Sequence, residues 1–148
     1  MVGILPNLRV GFRLVSAIAL ASTGIGELAF AQSSTPVISV ELNNLKPSQN
    51  GCQITFVIKN DLGKKLEKAA YEVVLFDGKG LVDRMTIFDF QTLAVGKTKV
   101  RQFNLKGTDC EKISRILING SKECKGVDAD ICMTNLITKN KTTIKFGS

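Results

Sequence analysis

From Cys52 to Ile58 the side chains alternate, with Cys52, Ile54, Phe56 and Ile58 on one parity and Gln53, Thr55 and Lys59 on the other. A period of two is what an extended chain needs to bury one face and wet the other, whereas a helix would scatter this apolar set around its axis. Weaker versions of the signature recur along the chain between clusters of turn residues. Ile38, Val40 and Leu42 share a parity, and Asn43 to Gly51 then reads as a loop with Pro47, Ser48 and Asn50 as turn chemistry. YEVVLF, Tyr71 to Phe76, runs into Asp77-Gly78-Lys79-Gly80, a hairpin turn signal, and Leu81 to Leu93 reads as the return strand. Thr98 to Leu105 follows a turn at Ala94-Val95-Gly96-Lys97, KISRILIN from Lys112 ends at Asn119-Gly120, and a last element spans Cys132 to Phe146. Lys64 to Ala70 reads as a helical turn, and no stretch of ten residues keeps a helical period. Seven short strands separated by turns imply an all-β fold, an immunoglobulin-like antiparallel β-sandwich without the tryptophan of antibody cores, since the chain has none.

The parity of each strand predicts what is buried. Ile54, Phe56, Ile58, Val73, Leu75 and Val100 are expected in the core, with Phe103 and Leu105 joining Val100 across a local bulge. In the strand from Leu81 to Leu93, Val82, Phe88 and Phe90 share one parity and Met85 and Ile87 the other. If the first set faces the core, Met85 and Ile87 stand outward beside Asp83 and Asp89, and an apolar pair rimmed by charge is a candidate interaction surface; the alternative is that both faces of the strand are covered within the domain, or that a bulge between Ile87 and Phe88 turns both sets inward.

Ahead of this region lies a different kind of sequence. Arg9 and Arg13 are the only charges before Glu27, Leu14 to Ile25 is uncharged and mostly apolar, and Ala29-Phe30-Ala31 places small residues where signal peptidase needs them. Residues 1–31 are therefore expected to be a signal peptide cut before Gln32, leaving 32–148 as a single β-sandwich domain. Ser16, Ser22, Thr23, Gly24 and Gly26 dilute the apolar run below what a membrane span requires, so an integral membrane protein is not expected. The expected location is periplasmic or secreted.

Four cysteines, Cys52, Cys110, Cys124 and Cys132, all follow the leader, and an even number in an exported chain reads as two disulfides. Four cysteines allow three connectivities. Cys52 with Cys110 and Cys124 with Cys132 is the pairing expected, because the first would join the start of one strand to the end of an antiparallel neighbour and the second would close a short loop. The closely paired thiolates typical of a structural zinc are missing.

The chain contains no histidine, which excludes Ser-His-Asp and Cys-His catalysis and a histidine-liganded zinc. Ser114 and Ser121 sit in no motif that would activate a nucleophile, and the pairs Asp83/Asp89 and Asp128/Asp130 lack the sugar-stacking cleft or the remaining loop ligands that glycosidase or calcium chemistry asks for. The glycines at 78, 80 and 96 precede no helix, so no phosphate-binding loop of the usual kind is present. No catalytic, metal or cofactor residues are expected. The whole chain carries a net charge of +7, which suits anionic partners such as a membrane surface or an acidic envelope polymer, although the lysines are scattered singly or in pairs along most segments, the pattern of a solvated surface. Lys97, Lys99 and Arg101 share a strand parity, yet export makes nucleic acid an unsuitable partner.

The segments VELNNLKPSQNGCQITFVIKN, YEVVLFDGKGLVDR and LAVGKTKVRQFNL together resemble a family of small exported alphaproteobacterial proteins of unknown function, often labelled only as twin-arginine pathway signal proteins. Arg9 and Arg13 are separated here, a departure from that label. The resemblance implies an exported β-rich domain with cysteines at comparable places and no catalytic residues. The function expected is a non-enzymatic periplasmic binding or protein-interaction module whose partner is an envelope protein or anionic polymer. The alternatives are a small envelope enzyme, an inhibitor of one, or a secreted factor acting outside the cell.

Overall fold

The computed structural model describes residues 35–148, so the expected leader and its cleavage site lie outside the described residues. The alternation that opens at Cys52 becomes β2, Gly51–Asn60, in which every second residue is buried. It lies between β1, Ile38–Ser48, and β5, Thr98–Lys106, antiparallel to both, and β7, Leu136–Asn140, adds to β1 in parallel. The second sheet has β3, Leu66–Phe76, between β4, Val82–Leu93, and β6, Arg115–Lys125, with β8, Lys145–Gly147, parallel to β6. The sheets are thus ordered β5-β2-β1-β7 and β4-β3-β6-β8. The fold is the expected β-sandwich, with β2 flanked by the first and fifth strands and β3 by the fourth and sixth, the neighbourhood found in immunoglobulin-like domains.

Among the described residues eight strands replace the expected seven, and two of their pairings are parallel. The segment read as one element over Cys132 to Phe146 is three pieces: a helical turn, α1, at Ile131–Thr134, then β7 in one sheet and β8 in the other. Asn140 makes the break, its Oδ1 accepting from the Thr142 backbone N–H and its Nδ2 donating to the Ile144 carbonyl. Of the expected loop from Asn43 to Gly51 only Gln49 and Asn50 form a turn, since β1 runs on to Ser48 past an irregularity at Asn43. Beyond Leu42 its outer side has no partner strand, and there Pro47 removes no ladder hydrogen bond. The expected helical turn at Lys64 to Ala70 is mostly strand, because Leu66 and Ala69 are fully buried between β4 and β6. Asn119-Gly120 is no turn: β6 passes through it with Asn119 left out of register, a bulge in a continuous strand.

Between the sheets Phe56 meets Phe88, Phe90 and Phe146, each with ring centroids 5.7 Å away, and Phe88 stacks on Phe103 at 4.1 Å. Ile54, Phe56, Ile58, Val73 and Leu75 are buried as expected. Val100 is not. It is 56 % exposed on the outer face, because β5 keeps an unbroken register with β2 and its inward parity belongs to Lys99, Arg101, Phe103 and Leu105. The two basic side chains reach across the open side of the sandwich, Lys99 Nζ to the Thr92 carbonyl at 2.6 Å and Arg101 Nε to the Phe90 carbonyl at 3.2 Å. Their aliphatic stems cover apolar surface while their heads satisfy carbonyls of β4, so cations occupy a parity the hydrophobic pattern would reserve for valine.

One buried polar side chain organises the loops at one end. Asn60 is fully enclosed, its Nδ2 donating to the Lys64 and Leu93 carbonyls and its Oδ1 accepting from the Leu62 N–H. With its backbone bonded to Gly96 and Lys97, it ties the β2–β3 connection to the β4–β5 turn. Both disulfides have the expected pairing, Cys52–Cys110 and Cys124–Cys132. The first anchors a 3-10 turn at Cys110–Lys112 to β2, and the second fastens the end of β6 to α1.

Candidate functional site

The outward parity of the β4-β3-β6-β8 sheet carries the candidate site. Register places its side chains in rows that cross the strands. One row is Met85, Val74, Leu117 and Gly147; the next is Val82, Phe76, Arg115 and Lys145. On the other side of the first row, Ile87 lies opposite Glu72, whose carboxylate accepts from Asn119 Nδ2 at 2.6 Å. Met85 is 55 % exposed and Ile87 51 %, so both stand outward, opposite to buried Phe88 and Phe90, while Val74 beneath them is covered by its neighbours. Val82, expected to share the core face with Phe88 and Phe90, is instead 57 % exposed. The register shifts at Asp83, so that Leu75 faces Arg84 and Phe76 faces Val82, and this irregularity turns Val82 to the outside. Leu81 beside it is also exposed. The apolar surface is therefore larger than the Met85/Ile87 pair and runs to the tip of the β3–β4 hairpin.

The charges at the two ends of this face are handled differently. At the start of β3, Lys68 Nζ lies 2.8 Å from Glu123 and 3.6 Å from Asp89, and Lys125 Nζ lies 3.1 Å from Glu123. The hydrogen bond to Glu123 raises the Lys68 pKa above its ordinary value, and the bonds from Lys68 and Lys125 hold the Glu123 carboxyl below its own. At the hairpin end, Lys79, Arg115 and Lys145 line one depression of about 400 Å³ with Phe76, Gly78, Gly80 and Ser114. None of these three cations has a carboxylate partner among the described residues. Asp77 adjoins them, but its Oδ1 accepts from the backbone N–H groups of Lys79 and Leu81, which fixes the turn. Arg115 lies over the Phe76 ring at 5.1 Å, a cation–π contact that holds the guanidinium against the sheet.

Sequence reading found Met85 and Ile87 from parity alone. It missed Arg115 and Lys145, which become neighbours only because β8 adds to β6 in parallel, a pairing with no local signature. The remaining candidates disperse. Ser114 Oγ donates to the Phe76 and Asp77 carbonyls, a structural role. Asp89 is ion-paired, Asp130 stands at the N-cap position of α1 with no side-chain capping hydrogen bond, and Asp83 lines a separate depression with Asp109 and Lys112. No group of three or more metal-ligating side chains converges among the described residues, and no helix among them is long and apolar enough to cross a membrane.

No protein-family model matches this chain, and no curated protein does. Among solved structures, the Salmonella enterica trimeric lipoprotein SadB is similar at 19 % identity with a TM-score of 0.43, over 50 % of this chain and 42 % of that one.

Proposed function

We propose that the protein is a non-catalytic binding module of the bacterial envelope, acting in the periplasm or after secretion, and that the outer face of the β4-β3-β6-β8 sheet is its contact surface. The observation that carries the reading is the exposure of Val82, Met85 and Ile87 along the edge strand β4 and of Leu81 in the turn just before it, contiguous with Phe76 and Leu117. Apolar side chains gathered on a sheet face, with ionic groups at its ends, mark a surface that gains by being covered. Two disulfides suit an oxidising compartment and accord with the exported location proposed.

Retention of the purified protein on a washed envelope fraction tests the reading. The double variant Met85→Ser with Ile87→Ser is expected to keep its melting temperature and lose retention. Unchanged retention in a folded double variant would remove this face from consideration.

A further inference from the structure

Resting on that reading, we infer that the occupant of the face is an anionic phospholipid surface, with a lipid phosphate seated among Lys79, Arg115 and Lys145 and the β4 apolar side chains entering the interface beside it. Three observations carry this. Arg115 and Lys145 face each other directly across the β6–β8 pairing, an arrangement that is repulsive unless an anion lies between the two groups. The same sheet face supplies carboxylates to its cations at the Lys68 end and supplies none at this end. The cationic depression is continuous with exposed apolar surface, since Arg115 and Lys145 share a cross-strand row with Phe76 and Val82. A free anion would use only the cations, and an apolar protein partner only the hydrophobic part. A bilayer bearing phosphate headgroups offers both chemistries side by side, and amphipathic surfaces of this kind bind such interfaces through apolar burial and attraction to anionic lipid together.

Co-sedimentation with vesicles is the test, using the whole mature protein. Binding is expected to phosphatidylglycerol mixed into phosphatidylcholine and not to phosphatidylcholine alone. Arg115→Gln with Lys145→Gln is expected to weaken it about 30-fold, roughly fivefold for each cation near the surface. Lys46→Gln with Lys106→Gln, which removes as much charge from the other sheet, is expected to retain most of it. Met85→Ser with Ile87→Ser should also weaken binding, and each variant is accompanied by its melting temperature. Equal loss in the Arg115/Lys145 and Lys46/Lys106 variants would reduce the effect to net charge and overturn the site. Displacement by millimolar-range inorganic phosphate at constant ionic strength would make the ligand a free anion and overturn the lipid assignment. If no vesicle binds while envelope retention still depends on Met85 and Ile87, the lipid proposal fails and the contact surface stands. If retention is insensitive as well, both fail.

Discussion

The Tyr71 hydroxyl donates a hydrogen bond to the backbone carbonyl of Cys132 at 3.0 Å, both residues being fully buried. A central strand of one sheet is thereby fixed to α1, and through the Cys124–Cys132 bridge to the end of β6. Tyr71→Phe keeps the ring and its edge contact with Phe90 but leaves a buried carbonyl without its donor. The expected loss is about 1–3 kcal/mol, read as a lower urea midpoint with an unchanged slope.

Alkali should act through the same phenol. Burial pushes the Tyr71 pKa well above its ordinary 10.0, so the folded chain keeps a proton that the unfolded chain releases. The associated stability is complete below pH ~10 and is lost above it, at up to about 1.4 kcal/mol per pH unit, until the folded-state pKa is passed. Since the chain has one tyrosine, tyrosinate absorbance should appear together with unfolding and not before it. The stability advantage of wild type over Tyr71→Phe should shrink across this range; a constant difference would contradict the burial argument.

Phe56 holds the centre of the aromatic cluster, in contact with rings from β4, β5 and β8. Phe56→Ala removes the packing partner of all of them and is expected to cost ~3–5 kcal/mol, a large share of the ~5–15 kcal/mol that stabilises a typical domain. Calorimetry of the variant checks this, and an unchanged melting temperature would contradict the central position of the ring.

The disulfides should contribute unequally. Cys52–Cys110 closes a separation of 58 residues and Cys124–Cys132 one of 8, for which loop-closure entropy gives about 4 and about 2.5 kcal/mol. Paired serine replacements, Cys52/Cys110 against Cys124/Cys132, should rank in that order in urea unfolding.

Local alternation was enough to place β2 and to orient Met85 and Ile87, because a strand with one wet face writes its period directly into the chain. It failed where tertiary partners decide. Val100 obeyed the hydrophobicity of its neighbours on paper, yet Lys99 and Arg101 hold the inward parity because the opposing strand offers them carbonyls. Asn119-Gly120 has the chemistry of a turn but is spanned by β3, which pairs on both sides of it. The cationic half of the site was illegible for a related reason: Arg115 and Lys145 are distant in sequence, and only the parallel docking of β8 brings them into one row.

The parallel docking of β7 on β1 and of β8 on β6 also bears on timing. These two strands are the last of the described elements, and each completes a different sheet. Until they arrive, one side of β1 and one side of β6 stay open, and Phe146 is missing from the aromatic cluster. Closing the sandwich therefore depends on pairings between segments far apart in sequence, which form more slowly than the local β3–β4 hairpin, so the two sheets stay loose at these edges until β7 and β8 dock.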